Sequence, residues 1–275
     1  MKHRIEHHPL FGKTLFWDNS VIEIGVPLEF GLRICHFSFC GEKNVFFEQP
    51  RELTQFSTPE GWHIRGGHRL WLAPEGEYDY YPDNQPIAYA FEGDTLVLTQ
   101  ENDPLLQGIK RFRISMDGAV LTVTHSFTNT GAEPKECSLW AISALAPGGV
   151  ETIPFARRED GFDPWHRIST WDYTNLGDPR ASYSLDGIRL TYLPIDDRYK
   201  IGVGHPDGPV SYENGDITLI QNFPIFRDRA YPDGNVCYET YYGRYFIEME
   251  SLSPLHRLLP GESMEHTEQL QLIRK

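Results

Sequence analysis

Between Ala119 and Asn129 the chain alternates with a period of two. Leu121, Val123, His125 and Phe127 fall on one face, and Thr122, Thr124, Ser126 and Thr128 on the other. That is the pattern of a strand with one face in a core and β-branched hydroxyls outside. It makes His125 a hydrogen-bonded core histidine. Short runs of strand character recur at residues 21–26, 32–39, 44–48, 62–65, 87–91, 95–100, 110–116, 136–146, 188–193, 199–203, 217–221, 235–242, 245–249 and 265–273. Gly93-Asp94, Asp117-Gly118, Asn214-Gly215 and Asp233-Gly234 punctuate them, dipeptides that tolerate the positive φ of tight hairpin turns. No run has the period of a normal helix, and residues 49–56 make at most a short helix or turn. Residues 147–178, rich in Pro, Gly and Asp and carrying Trp165, His166 and Trp171, read as a long excursion over the sheet, the kind of loop that often carries function. No internal repeat or domain boundary interrupts the pattern. The expectation is one all-β domain over residues 1–275, a large antiparallel β-sandwich.

Composition narrows the chemistry. At 275 residues, 40% of them hydrophobic, the chain has material for a sizeable core and is not a disordered polymer. Its apolar runs are too short to span a bilayer, and residues 1–18 lack the apolar segment and cleavage site of a signal peptide. Against 39 Asp and Glu stand 25 Lys and Arg, a net charge of -14 that argues against nucleic acid and anionic membranes as partners. Cys35, Cys40, Cys137 and Cys237 show no metal-binding spacing. They read as buried reduced thiols, which favours a cytoplasmic location. Phosphate loops, nucleophile motifs and His-x-His pairs are absent, so neither a cofactor nor a metal is expected. The rival constellation is His63 and His68 converging with a glutamate, and His3, His7 and His8 form an N-terminal cluster that could take a metal incidentally. The oligomeric state stays open.

Four segments, in order, carry a resemblance. They are Gly31-Leu32-Arg33-Ile34 leading to Gly41-Glu42-Lys43-Asn44-Val45-Phe46; Gly66-Gly67-His68-Arg69-Leu70-Trp71; Leu121 to Gly131 with Leu139 to Gly149; and Phe246 to Leu255 followed by Leu259-Pro260-Gly261-Glu262-Ser263 and His266. This set resembles the galactose mutarotase-like, or aldose 1-epimerase-like, superfamily. It is similar to uncharacterised bacterial members with a W-A-[IL]-[ST] strand, a Tyr-Pro-Asp-Gly turn and an E-x-L-x-P-L ending. The resemblance covers most of the chain and matches residues 147–178 least.

The resemblance implies a supersandwich fold and a carbohydrate ligand. In such epimerases a carboxylate takes the anomeric proton while an imidazolium protonates the ring oxygen. The carboxylate position matches Glu250, with Glu248 two residues away as the fallback on the same face. The histidine position falls at or beside Trp140, in Ser138-Leu139-Trp140-Ala141-Ile142-Ser143, and no group there can donate that proton. His68 is the stand-in acid. Arg65, Arg69, Trp71, Trp140, Asp233 and Glu239 are the candidate sugar contacts, Arg69 as a fork of donors and Trp71 as a stacking platform. Plainer readings stand beside these. The double glycine can be a strand bulge with Arg69 paired to a carboxylate, Glu248 and Glu250 can be exposed rungs of an edge strand, the tryptophans can be core, and Tyr231-Pro232-Asp233-Gly234 can be an ordinary turn. The functional expectation is a carbohydrate-binding mutarotase-like protein acting on a small free sugar as an isomerase, or a non-catalytic sugar-binding protein that has lost the histidine. A lyase-like or hydrolase-accessory role ranks third.

Overall fold

The computed structural model describes residues 1–54, 57–58, 61–155 and 165–275. In chain order its strands are β1 (Lys2–His8), β2 (Gly12–Asp18), β3 (Ile22–Pro27), β4 (Arg33–Ile34), β5 (His36–Phe39), β6 (Gly67–Ala73), β7 (Ala88–Glu92) and β8 (Thr95–Thr99). They continue as β9 (Gly108–Asp117), β10 (Val120–Asn129), β11 (Lys135–Leu145), β12 (Val150–Pro154), β13 (Arg167–Thr170), β14 (Ala181–Tyr183), β15 (Gly187–Thr191) and β16 (Tyr199–Gly204). The last are β17 (Val210–Asn214), β18 (Ile217–Asn222), β19 (Tyr238–Tyr242), β20 (Ile247–Leu252), β21 (His256–Leu258) and β22 (Ser263–Arg274).

Three sheets result. A four-stranded sheet runs β1-β2-β3-β5, and a ten-stranded sheet runs β14-β15-β12-β17-β18-β22-β10-β9-β8-β7. The eight-stranded sheet runs β13-β16-β19-β20-β11-β6-β4, with β21 also paired to β11. Every pairing between these strands is antiparallel. The two large sheets face each other and their inner side chains merge into one core with those of β2 and β3, including Leu15, Ile24, Phe112, Val123, Leu139, Ile201 and Leu270. The architecture is the antiparallel β-sandwich that the alternation predicts.

The local differences have local causes. β1 is solvent-exposed along nearly its whole length, so it shows no apolar face; it is a strand because its register against β2, from Lys2 opposite Asp18 to His8 opposite Gly12, satisfies its backbone. The run at 32–39 breaks at Cys35 between β4 and β5, and the runs at 44–48 and 62–65 make only isolated bridges. Within the expected excursion at 147–178, β12 and β13 are strands of the two large sheets, while residues 156–164 lie outside the described residues. Of the expected helix or turn at 49–56, a turn forms at Arg51 and Glu52, and residues 55–56 lie outside the described residues. All four cysteines are free, but Cys40 is exposed at the end of a hairpin strand, contrary to the expectation of burial; Cys35, Cys137 and Cys237 are buried. No helix is long and apolar enough to cross a membrane among the described residues.

The approach to β6 depends on two glycines. Gly66 and Gly67 have φ of 91° and 75°, the left-handed region that side chains avoid. A Cβ at Gly67 would lie 2.3 Å from the Ile34 carbonyl oxygen, and one at Gly66 1.9 Å from that of Phe47. The chain therefore threads between two backbones just before His68 and Arg69. Gly67→Ala is expected to destabilise the protein by more than about 2 kcal/mol, since left-handed strain of ~1–2 kcal/mol adds to the clash. Gly93→Ala, with φ of 61° but nothing within 4 Å, is expected to show only the strain. Urea denaturation of both variants checks the ordering.

Candidate functional site

Antiparallel register turns scattered residues into rows, because residues opposite each other share a face. In one row Arg69 of β6 lies opposite Ile142 of β11, which lies opposite Glu250 of β20, which lies opposite Glu239 of β19. On one side of it run Ala144, Glu248, Tyr241 and Lys200; on the other, Trp71, Trp140 and Leu252. All project from the side of the eight-stranded sheet that faces away from the ten-stranded sheet. There they floor a half-open hollow of about 460 Å³. Trp62, Glu75, Tyr80, Trp171, Tyr173 and Arg198 contribute to its walls. Its size falls within the range of small-molecule sites.

The charges on this floor are paired and mostly sealed. Arg69 Nη1 donates to Glu248 Oε1 at 2.8 Å while its guanidinium lies 4.5 Å from the Trp71 ring centre. Lys200 Nζ sits 3.0 Å from Glu250 Oε2 and 2.8 Å from Glu239 Oε2. Trp140 Nε1 donates to the same Glu250 oxygen at 2.8 Å. The ammonium also packs on two indoles, 4.4 Å from the Trp140 ring centre and 4.8 Å from that of Trp171. Burial pulls the Lys200 ammonium down, but Glu250 and Glu239 outweigh it and hold its pKa above the ordinary value. Burial pushes both carboxyls up, against the pull of Lys200. Glu250 is closed off beneath Lys200 and Trp140, so Glu248, which lines the hollow, is the carboxylate a ligand can reach.

The sequence candidates divide accordingly. Arg69, Trp71, Trp140 and Glu248 share the hollow; Glu250 and Glu239 lie beneath it and hold Lys200. β20 lies between β19 and β11, so Glu248 and Glu250 are not rungs of an exposed edge. Arg65 does not join them. It has φ of 55°, its guanidinium lies over Phe30 at 3.8 Å, and it lines a different recess with His63. Asp233 sits in a turn, with φ of 51° and Gly234 at 81°, and borders a neighbouring hollow. Lys200 was missed, although a lysine inside the apolar run Tyr199-Lys200-Ile201-Gly202-Val203 signals a cation that must find buried partners.

His68 corrects the expected acid. One residue before Arg69, it points to the opposite face of β6, into the core between the large sheets. Its Nε2 meets His125 Nε2 at 2.7 Å, its Nδ1 meets Ser143 Oγ at 2.9 Å, and His125 Nδ1 faces the His266 carbonyl at 3.0 Å. Because His125 Nδ1 donates to that carbonyl, its Nε2 accepts from His68, whose Nδ1 in turn accepts from Ser143. Burial lowers the pKa of His68 to about 3 and that of His266 to about 4, and keeps His125 neutral as well. Burial raises Glu268, which bonds to Ser251 and Gln221, to about 7. His68, His125 and Glu268 form the one group among the described residues whose donor atoms lie close enough to hold a metal. The two Nε2 atoms are spent on each other, however, and Glu268 Oε2 is taken by Ser251 and Gln221, so the cluster is organised as a hydrogen-bond network in which Glu268 Oε1 alone of these ligand atoms lacks a partner. His63, the partner in the rival metal reading, bonds to Ser57 and lies apart from it.

By sequence the chain matches no family model and no curated protein. By structure it superposes on a galactose mutarotase-like protein from Lactobacillus casei over 94% of this chain and all of that one, with a TM-score of 0.63 at 12% identity. The fold is that of the galactose mutarotase-like proteins. A candidate aldose 1-epimerase from Escherichia coli K12 covers the whole of both chains at a TM-score of 0.60 and 15% identity. The Slr1438 protein of Synechocystis covers 94% of this chain and 95% of its own, with 0.63 and 13%. At these identities the mutarotase-like likeness describes the scaffold, and the site has to be argued from its own side chains.

Two measurements check this electrostatic description. Lys200→Met leaves two buried carboxyls without their cation and is expected to cost about 3–5 kcal/mol at pH 8. The loss should shrink at lower pH, because burial already favours the protonated form of both carboxyls and removal of the cation favours it further; paired urea titrations at pH 8 and pH 5 read the difference. His266 stays neutral in the fold down to about pH 4 but takes a proton near pH 6.5 when unfolded. Its contribution is therefore intact above pH 6.5 and is lost as pH falls towards 4. His266→Gln should gain stability relative to wild type over that window, by up to about 3 kcal/mol.

Proposed function

We propose that the hollow binds a carbohydrate and that the protein holds the sugar without opening its ring. The Trp71 and Trp140 rings offer apolar surface to the C–H groups of a pyranose. Arg69 and Glu248, side by side at the floor, offer donors and acceptors for neighbouring hydroxyls. The observation that carries the non-catalytic reading is the direction of the imidazoles: His68, His125 and His266 all lie in the core, on the far side of β6 from Arg69. Ring opening needs an acid and a base flanking C1, with pKa values near the working pH. The hollow's hydroxyls move the other way, burial raising Tyr173 to about 12 and Tyr80 and Tyr241 higher still. Lys200 is held as a cation by its carboxylates.

A second reading, an aldose 1-epimerase-type isomerase, is favoured by one feature: Glu248, the fallback base that the motif resemblance implies, presents a carboxylate to the hollow. A single experiment separates the two. Free hexoses and pentoses are titrated against tryptophan fluorescence, and anomer exchange is followed by NMR in the same samples. The expected result is saturable quenching, weakened about tenfold or more in Trp71→Ala and Arg69→Gln variants that still melt cooperatively, with exchange no faster than in buffer. Acceleration that disappears in Glu248→Gln would replace this reading with the isomerase. Absence of binding to any sugar of the panel would overturn both.

A further inference from the structure

A second hollow adjoins the first. It has a volume of about 440 Å³ and is lined by Ser169, Thr170, Trp171, Asp233 and Gly234. Trp171 lines both. On the side of the first hollow its indole packs near the Lys200 ammonium; the backbone just before it is β13, the edge strand of the eight-stranded sheet. The second hollow thus continues the floor of the first past one aromatic side chain.

Resting on the carbohydrate reading, we infer that the ligand is a glycan of at least two sugar units, one unit over Trp71 and Trp140 and the next beyond Trp171 against Asp233. Three observations carry this. The carboxylate of Asp233 accepts no hydrogen bond and makes no ion pair among the described residues, and the hydroxyls of Ser169 and Thr170 likewise have no partner there. The wall therefore offers one strong acceptor and two groups that both donate and accept, the complement of adjacent sugar hydroxyls. The turn also lies tight against β13, which sets Asp233 beside Ser169. A Cβ at Gly234 would lie 2.5 Å from Ser169 Oγ, at a φ of 81° that disfavours any side chain. Finally, both hollows are lined by indole and carboxylate together, Glu248 among the groups of the first and Asp233 in the second. A ligand with a repeating chemistry fits two hollows that repeat theirs. The free carboxylate of Asp233 favours a neutral unit there over a phosphorylated or uronic one.

Isothermal titration with matched sugars tests the inference: glucose against maltose and cellobiose, galactose against galactobiose, mannose against mannobiose, and xylose against xylobiose. In the series that binds, the disaccharide is expected to bind about tenfold or more tightly than its monosaccharide. Asp233→Asn, an isosteric change on a turn, is expected to bring that ratio towards one, and Trp171→Ala to do the same. Equal affinity for monosaccharide and disaccharide, or an unchanged ratio in Asp233→Asn, would overturn the two-unit ligand while leaving sugar binding intact. Failure of every mono- and disaccharide to bind would overturn it together with the carbohydrate reading on which it rests.

Discussion

An ammonium buried against two carboxylates is the constraint around which the concave face is organised. Lys200, Glu239 and Glu250 come from three adjacent strands, β16, β19 and β20, and none of them could occupy its position alone. An isolated charge in such surroundings would neutralise itself by shifting its pKa or would unfold its neighbourhood. Together they hold one another, and the Trp140 N–H bonds to one of the same carboxylate oxygens. That arrangement fixes the Trp140 indole plane, and Trp140 faces Trp71 edge-on at 5.6 Å between ring centres. The aromatic floor is therefore positioned from below by electrostatics as well as by packing. Ion groups of this kind add little net stability over apolar replacements, but they specify geometry.

The same strand supplies two unrelated chemistries by parity. His68 and Arg69 are neighbours in sequence, yet one closes a neutral hydrogen-bond network between the sheets and the other meets the ligand hollow. A strand buried on both faces has no polar face to spare for solvent, so each polar side chain must find its partner inside. On the inner face the partners are His125 and Ser143; on the outer face, Glu248. The separation puts the histidines and the hollow on opposite faces of β6.

Parity also explains what was legible in the sequence. The β-sandwich, the core place of His125, the shared face of Glu248 and Glu250, and the convergence of Arg69 with a carboxylate all follow from period-two alternation and the ordered motifs. His68 was misplaced because it was assigned by its place beside Arg69 in the motif and not by strand parity. Once Gly67–Ala73 is a strand, residues 68 and 69 must diverge. β1 left no trace because nothing in Lys2–His8 is buried enough to require an apolar face. Lys200, Trp171 and Tyr173 come from stretches remote from β6 and β20, and only strand order brings them to the same hollow. Register can be guessed from alternation within a strand, but neighbourhood in a ten- or eight-stranded sheet is a global property of the chain.

The hollow's own cations constrain what it can bind. Eight aromatic residues line it, a composition that elsewhere favours positively charged ligands. Here four of those faces are already engaged: Arg69 lies over Trp71, Lys200 over Trp140 and Trp171, and Arg198 over Tyr173 at 4.5 Å. A cationic ligand on any of these four would have to displace a tethered cation and meet the repulsion of the rest. An anion would find Arg69 and Lys200 already neutralised by Glu248, Glu239 and Glu250, with Arg198 the one cation of the lining uncommitted to a carboxylate among the described residues. A neutral ligand with many hydroxyls needs neither exchange. It can take the spare hydrogen-bonding positions of groups that are already charge-balanced, and its C–H faces can cover what remains of the indole surface, so the charge pairing that stabilises the floor accords with the proposed sugar ligand.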